Sequence, residues 1–126
     1  MTYGFVYCLA NDSFPDLYKI GCTERSPQQR ADDLSRATGV PSEFVVLGYI
    51  ECANFQQVER EIHRRLENYR PNDRREFFKA PLELISALFF HHPANISWVD
   101  RCMRENTGVE AWMLDDPYSP RIAANA

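Results

Sequence analysis

Tyr7, Lys19, Arg30, Glu59 and His63 are the residues of this 126-residue chain whose types and spacing could do chemistry. Tyr7 and Lys19 lie on two apolar stretches close enough in sequence to pair as a hairpin, and Arg30 follows soon after Gly21. Arg30 stands four residues before Leu34 and seven before Ala37, so on a helix it shares their inward side. A guanidinium placed there either snorkels at the edge of the core or reaches into a site as a phosphate ligand. At about 100° per residue, Glu59 on a later helix falls about 60° from Ile62, with His63 on the same flank. Glu61 falls on the opposite flank beside Arg65, its natural i,i+4 partner. Glu59 is therefore the carboxylate drawn to the core edge, and Glu61 reads as a surface residue. Plain structural roles are also open: a core-edge aromatic for Tyr7, a strand lysine for Lys19, a hydrogen-bonded histidine for His63. Convergence of Tyr7, Lys19, Arg30 and Glu59 on one open concave surface is the expectation that separates the two.

The elements that must position these residues are well punctuated. Residues 3–10 and 17–22 are rich in aromatic and β-branched types and predict two antiparallel strands, with Tyr3, Phe5, Tyr7 and Leu9 on one face. Ser26, Pro27 and Gln29 predict the start of a first helix, which Gly39 and Pro41 end. Residues 43–51 predict a third strand. Asn54 then caps a second helix with the apolar stripe Phe55, Val58, Ile62, Leu66 and Tyr69. Arg74 to Phe78 predicts a short strand or turn, and Pro81 opens a third helix that stops at His91-His92-Pro93, a pair of histidines without assigned function. The order predicts an α+β domain over 1–90, with a small mostly antiparallel sheet covered by helices. The remainder, 91–126, is an extension: one short helix over 96–104, Trp112 as an anchor, and a loose tail.

Composition narrows the class. A 44% hydrophobic and 25% charged balance excludes a wholly disordered chain. No stretch approaches the ~20 apolar residues of a membrane span, and no signal peptide is visible, so the expected setting is cytoplasmic, without a membrane partner. The four cysteines contain no CxxC pair, which argues against a zinc or redox site. Formal net charge is −4, yet residues 60–79 carry seven bases against four acids. Such a cluster can hold a polyanion on an acidic protein, or simply lace a solvated helix with ion pairs. Arg25, Arg64, Arg74 and Arg75 are the candidates for contacts to a nucleic-acid backbone. The acidic stretch after residue 80 offers a surface for a protein partner.

Taken together, Gly4-Phe5-Val6-Tyr7, Leu17-Tyr18-Lys19-Ile20-Gly21-Cys22-Thr23, Arg30, Thr38-Gly39-Val40-Pro41, Glu59, His63 and Arg75-Glu76-Phe77-Phe78 resemble the GIY-YIG nuclease superfamily. Within it they look like the phage-associated DNA-binding branch, whose second motif reads Lys-Ile-Gly. The resemblance covers about residues 3–90. It implies a three-stranded antiparallel sheet flanked by helices and a single divalent ion, Mg²⁺ or Mn²⁺. In such nucleases the first-motif tyrosine, here Tyr7, activates or orients the attacking water. Arg30 steadies the scissile phosphate, Glu59 holds the metal, and His63 assists proton transfer or holds a phosphate. Lys19 stands where the second motif supplies a tyrosine; it cannot act as a phenol but can bind phosphate. Asn72 is the candidate for the family's later asparagine, and Glu76 belongs to the pattern without a chemical role. The implied function is a metal-dependent endonuclease hydrolysing phosphodiester bonds in DNA. The alternative is a DNA-binding module that keeps the fold without cutting efficiently.

Overall fold

The structure is a computed structural model that describes residues 2–37, 39, 41–71 and 76–119. Strand β1 (Tyr3–Ala10) and strand β2 (Tyr18–Thr23) form the expected antiparallel hairpin, with Tyr7 opposite Gly21 and Leu9 opposite Lys19. Strand β3 (Val45–Ala53) pairs with the other side of β1. Two further strands flank this centre: β4 (Phe77–Phe78) beside β2, and β5 (Ser97–Asp100) beside β3. The sheet therefore has five strands in the order β4-β2-β1-β3-β5, all antiparallel, rather than three. Strand β4 falls within the Arg74 to Phe78 stretch expected as a short strand or turn, whereas β5, an edge strand of four residues, is too short for alternation to announce it. The single helix expected over 96–104 is instead β5 followed by α4 (Met103–Thr107). Asp100 makes the break, its carboxylate accepting from the Met103 N–H at 2.8 Å.

Alternation along the strands sorts the core into two layers. Helix α1 (Pro27–Ser35) covers one face, where Tyr7, Leu9, Ala31, Phe44 and Val46 cluster. Helices α2 (Phe55–Arg65) and α3 (Leu82–Phe90) cover the other, burying Val6, Cys8, Ile20, Ile50, Ile62 and Phe89 among others. The start of α1 follows the sequence: Pro27 is its first residue, and the Ser26 hydroxyl accepts from the Gln29 N–H at 3.1 Å. The helix ends at Ser35, leaving Ala37 exposed beyond it. Asn54 stands at the head of α2 but makes no side-chain cap. Its backbone is left-handed (φ 54°), a conformation asparagine tolerates, and its N–H donates to the Thr2 carbonyl at 2.7 Å. Tyr69 leaves the stripe in a 3-10 turn and is exposed.

The extension is anchored by Tyr118, not by Trp112, which is 59% exposed. The Tyr118 hydroxyl donates to the Leu88 carbonyl at 2.6 Å, and its ring packs edge-on to His92 and beneath the Arg65 guanidinium. His91 Nε2 donates to the Leu114 carbonyl and Arg65 to that of Pro117, both at 3.0 Å. Residues 117–119 are thus held in place rather than loose, and the expected tail from 120 on lies outside the described residues. No helix among the described residues is long and apolar enough to cross a membrane.

Gly4 tests the packing of α2 on the sheet. A Cβ there would lie 2.5 Å from the Phe55 ring. Gly4→Ala is expected to cost about 1–3 kcal/mol by overpacking. Combined with Phe55→Leu, the loss should be smaller than the sum of the two single losses. Urea unfolding of the four proteins measures this; strict additivity would place the added methyl away from Phe55.

Candidate nucleic-acid interface

Tyr7 is 1% exposed and is among the largest fully buried side chains of the protein. The ring crosses the neighbouring strand over Gly21, where a Cβ would sit 2.5 Å from the hydroxyl and 2.7 Å from the carbon that bears it. Only glycine leaves that passage open. The hydroxyl so carried across comes within the influence of Arg30, which α1 presents at the same side of the sheet. Burial pushes the Tyr7 phenol up to about 12, against the opposing pull of Arg30. At neutral pH the side chain is a neutral hydroxyl, able to donate and accept.

Lys19 lies on the same face as Tyr7, one period-two step along β2 from Gly21. Its ammonium donates to the Glu76 carboxylate and sits 5.2 Å above the Phe77 ring. Glu76 therefore has a definite structural partner, and Lys19, only 12% exposed at its side chain, is engaged rather than free for phosphate. The Glu76 charge also reaches Tyr7 and Cys22, so this pair stands between the two halves of the site.

Those halves lie on opposite faces. Glu59 and His63 belong to α2, which packs on the face away from Tyr7 and α1. Convergence on one surface is therefore not what the fold makes; the residues meet around the outer edge of β2. Cys22 faces α2, and burial, with the Glu59 carboxylate nearby, pushes its thiol up to about 12. His63 Nε2 donates to the Ile20 carbonyl at 2.7 Å, since a carbonyl can only accept. This leaves Nδ1 as the one ring nitrogen for a proton or an anion. Helical and strand periodicity set which way a side chain leaves its own element, but they carry no information about which sheet face a helix covers.

The remaining candidates divide. Arg64 lines a shallow groove on the outside of α2 with Arg60, His63, Glu67 and Arg70. Arg25 donates to Asp33 at 2.6 Å. Arg74 and Arg75, like Asn72, lie outside the described residues. Arg60 and Arg70 join the candidates only through this groove, and their place in the basic stretch of 60–79 is the signal in the sequence that marks them. Glu61 does not pair with Arg65: it accepts from His92 Nε2 at 2.8 Å. His92 Nδ1 accepts from the Ala94 N–H at 3.0 Å, so His92 is the neutral Nε2–H tautomer and buried structure, not a bare helix end.

The T5orf172 domain model matches residues 4–104, from the first strand through β5 into α4. The chain belongs to the T5orf172 domain family. T5orf172 domains are phage-associated and linked to nuclease-type proteins, so the membership gives this chain a phage-related nucleic-acid-binding or nuclease-like function. Comparison with curated proteins and with solved structures returned no match.

The phenol at the centre of this T5orf172 site has a measurable signature. Because its folded value is raised from 10.0 to about 12, the unfolded chain loses that proton first as pH rises. Stability is then lost between those values, by about 2–3 kcal/mol at most. Relative to wild type, Tyr7→Phe should lack this alkaline loss. Denaturation midpoints of the two proteins from pH 8 upward check it; parallel pH profiles would mean that the phenol is not buried as described.

Proposed function

We propose that this T5orf172 domain is a divalent-metal-dependent endonuclease that hydrolyses phosphodiester bonds in DNA. The observation that carries the proposal is the Tyr7 hydroxyl, passed over Gly21 to Arg30, with Glu59 beyond the same strand edge. Arg30 binds and orients the scissile phosphate through paired N–H donors, a geometry that guanidinium shares with phosphate oxygens. Tyr7, neutral at physiological pH, orients the attacking water by hydrogen bonding instead of removing its proton outright. His63 can hold a phosphate oxygen or accept a proton at Nδ1 only.

Glu59 is the residue to hold Mg²⁺ or Mn²⁺. The Cys22 thiol near it is a soft donor unsuited to such a hard ion. Among the described residues no group of three His, Cys, Asp or Glu side chains could hold a metal ion. The donor set fits the mode in which magnesium uses one or two carboxylates and takes its other oxygens from water and substrate phosphate. When bound, the ion polarises the phosphate and stabilises the leaving oxygen. We also place the protein in the cytoplasm, a compartment that keeps its four free cysteines reduced.

A second reading, a DNA-binding module without efficient cleavage, is favoured by one observation: the second-tyrosine position holds Lys19, closed in its pair with Glu76. Nicking of supercoiled plasmid with Mg²⁺ or Mn²⁺ separates the two. Glu59→Gln should lower metal-supported nicking by at least about a hundredfold, beyond what outer partners of a metal site contribute. DNA binding should survive or tighten, because a negative charge near phosphate is removed. Glu61→Gln keeps an acceptor for His92 and should nick like wild type. Equal nicking by wild type and Glu59→Gln would remove Glu59 from the mechanism. Binding by wild type without nicking, with either ion and on duplex or single-stranded substrates, would install the module in place of the nuclease.

A further inference from the structure

We infer that Arg60, Arg64 and Arg70 form a second phosphate-binding surface, which takes the nucleic-acid backbone beside the Tyr7–Arg30 centre. The inference rests on the proposed action on DNA and extends it to the path of the strand. Arg60 and Arg64 stand at i,i+4 on α2, where like charges repel, and neither has a carboxylate partner among the described residues. Glu67 is the single acid lining the groove against these arginines and His63. Two adjacent rows therefore run along α2: Glu59 and His63 toward the β2 edge, Arg60 and Arg64 next to them on the solvent side.

Arg70 closes the groove, and its placement is not that of a free surface arginine. Its guanidinium stacks 5.1 Å from the centroid of the fully buried Phe78, with its Nε buried and without a hydrogen-bond partner among the described residues. The same Phe78 ring packs against His63 at 5.0 Å between centroids. One rigid aromatic thus sets the positions of Arg70 and His63 together. His63 is in turn tied to the edge of β2 through the Ile20 carbonyl, so it links groove to centre. A planar guanidinium held by stacking loses little freedom on gripping a phosphate, and its fork matches two oxygens. A strand that rounds the β2 edge can then meet both groove and centre through separate phosphates, whereas a free phosphate ion would fill the groove alone.

Equilibrium binding of a duplex oligonucleotide, followed by fluorescence anisotropy across salt concentrations without divalent metal, tests this. The Arg60→Ala/Arg64→Ala protein should show a log affinity against log salt slope flatter than wild type by about 1.8, about 0.9 per lost contact. Arg70→Ala should flatten it by about 0.9; if that variant melts early, the double variant alone carries the test. Arg104→Ala, which removes a charge paired with Glu110 elsewhere, should leave the slope unchanged. Wild-type binding with the same slope in the groove variants would overturn the groove and leave the proposed function standing. Failure of wild type to bind DNA at low salt would overturn both. Inorganic phosphate that shifts the His63 ring resonances and is not displaced by the oligonucleotide would make this a free-anion site and overturn the backbone assignment.

Discussion

The passage of the Tyr7 ring over Gly21 is the contact on which the rest of the site depends. A tyrosine on an interior strand would ordinarily end in the core with its hydroxyl unsatisfied, which costs free energy wherever water is excluded. Gly21 removes the obstacle on the neighbouring strand, so the ring is buried while its hydroxyl reaches Arg30. The aromatic body thereby serves the core and the hydroxyl serves the site. Strand pairing puts the two residues opposite each other, so the hairpin register is a condition of this contact.

The outer edge of β2 explains why the candidate side chains gather there. Strand β4 pairs only with Tyr18 and Lys19, leaving the following backbone groups without a complete neighbour strand. Ile20 is satisfied from two directions: its N–H donates to the Glu76 carbonyl at 2.9 Å, and its carbonyl accepts from His63. Pairing a sheet edge with a side chain both blunts the edge and fixes that side chain. The Lys19–Glu76 pair, the His63 ring and Cys22, whose thiol feels the Glu59 carboxylate, are arranged along a few residues of one strand. Two helices on opposite faces can contribute to one site because they overhang the same short edge.

Charge is partitioned to match. The chain is acidic overall, yet the α2 flank beside this edge presents arginines with no carboxylate partner among the described residues. Arg65, one residue beyond Arg64, is turned to the opposite use: it lies over Tyr118 and holds the Pro117 carbonyl. The other flank of α2 is likewise structural, with Glu61 bound to a neutral His92 that also accepts a backbone N–H. A single helix so divides into a row facing the strand edge, a basic row facing solvent and a row that seats the C-terminal segment.

Much of this was legible in the residues themselves. Period-two alternation located β1 and β2, Ser26 and Pro27 located the start of α1, and the Phe55 to Leu66 stripe located α2, because each signal is local and repeats over several residues. Tyr7, Lys19, Arg30, Glu59 and His63 could be singled out for the same reason: face assignments follow from short stretches of chain. What no local pattern contains is which face of the sheet each helix covers, and that decided where Glu59 and His63 stand relative to Tyr7. Partner choice was equally nonlocal. Glu61 takes His92, 31 positions away, over Arg65, and Lys19 takes Glu76, 57 positions away. An i,i+4 neighbour is only available, whereas a distant group held by the core is already in place, and the preorganised partner wins.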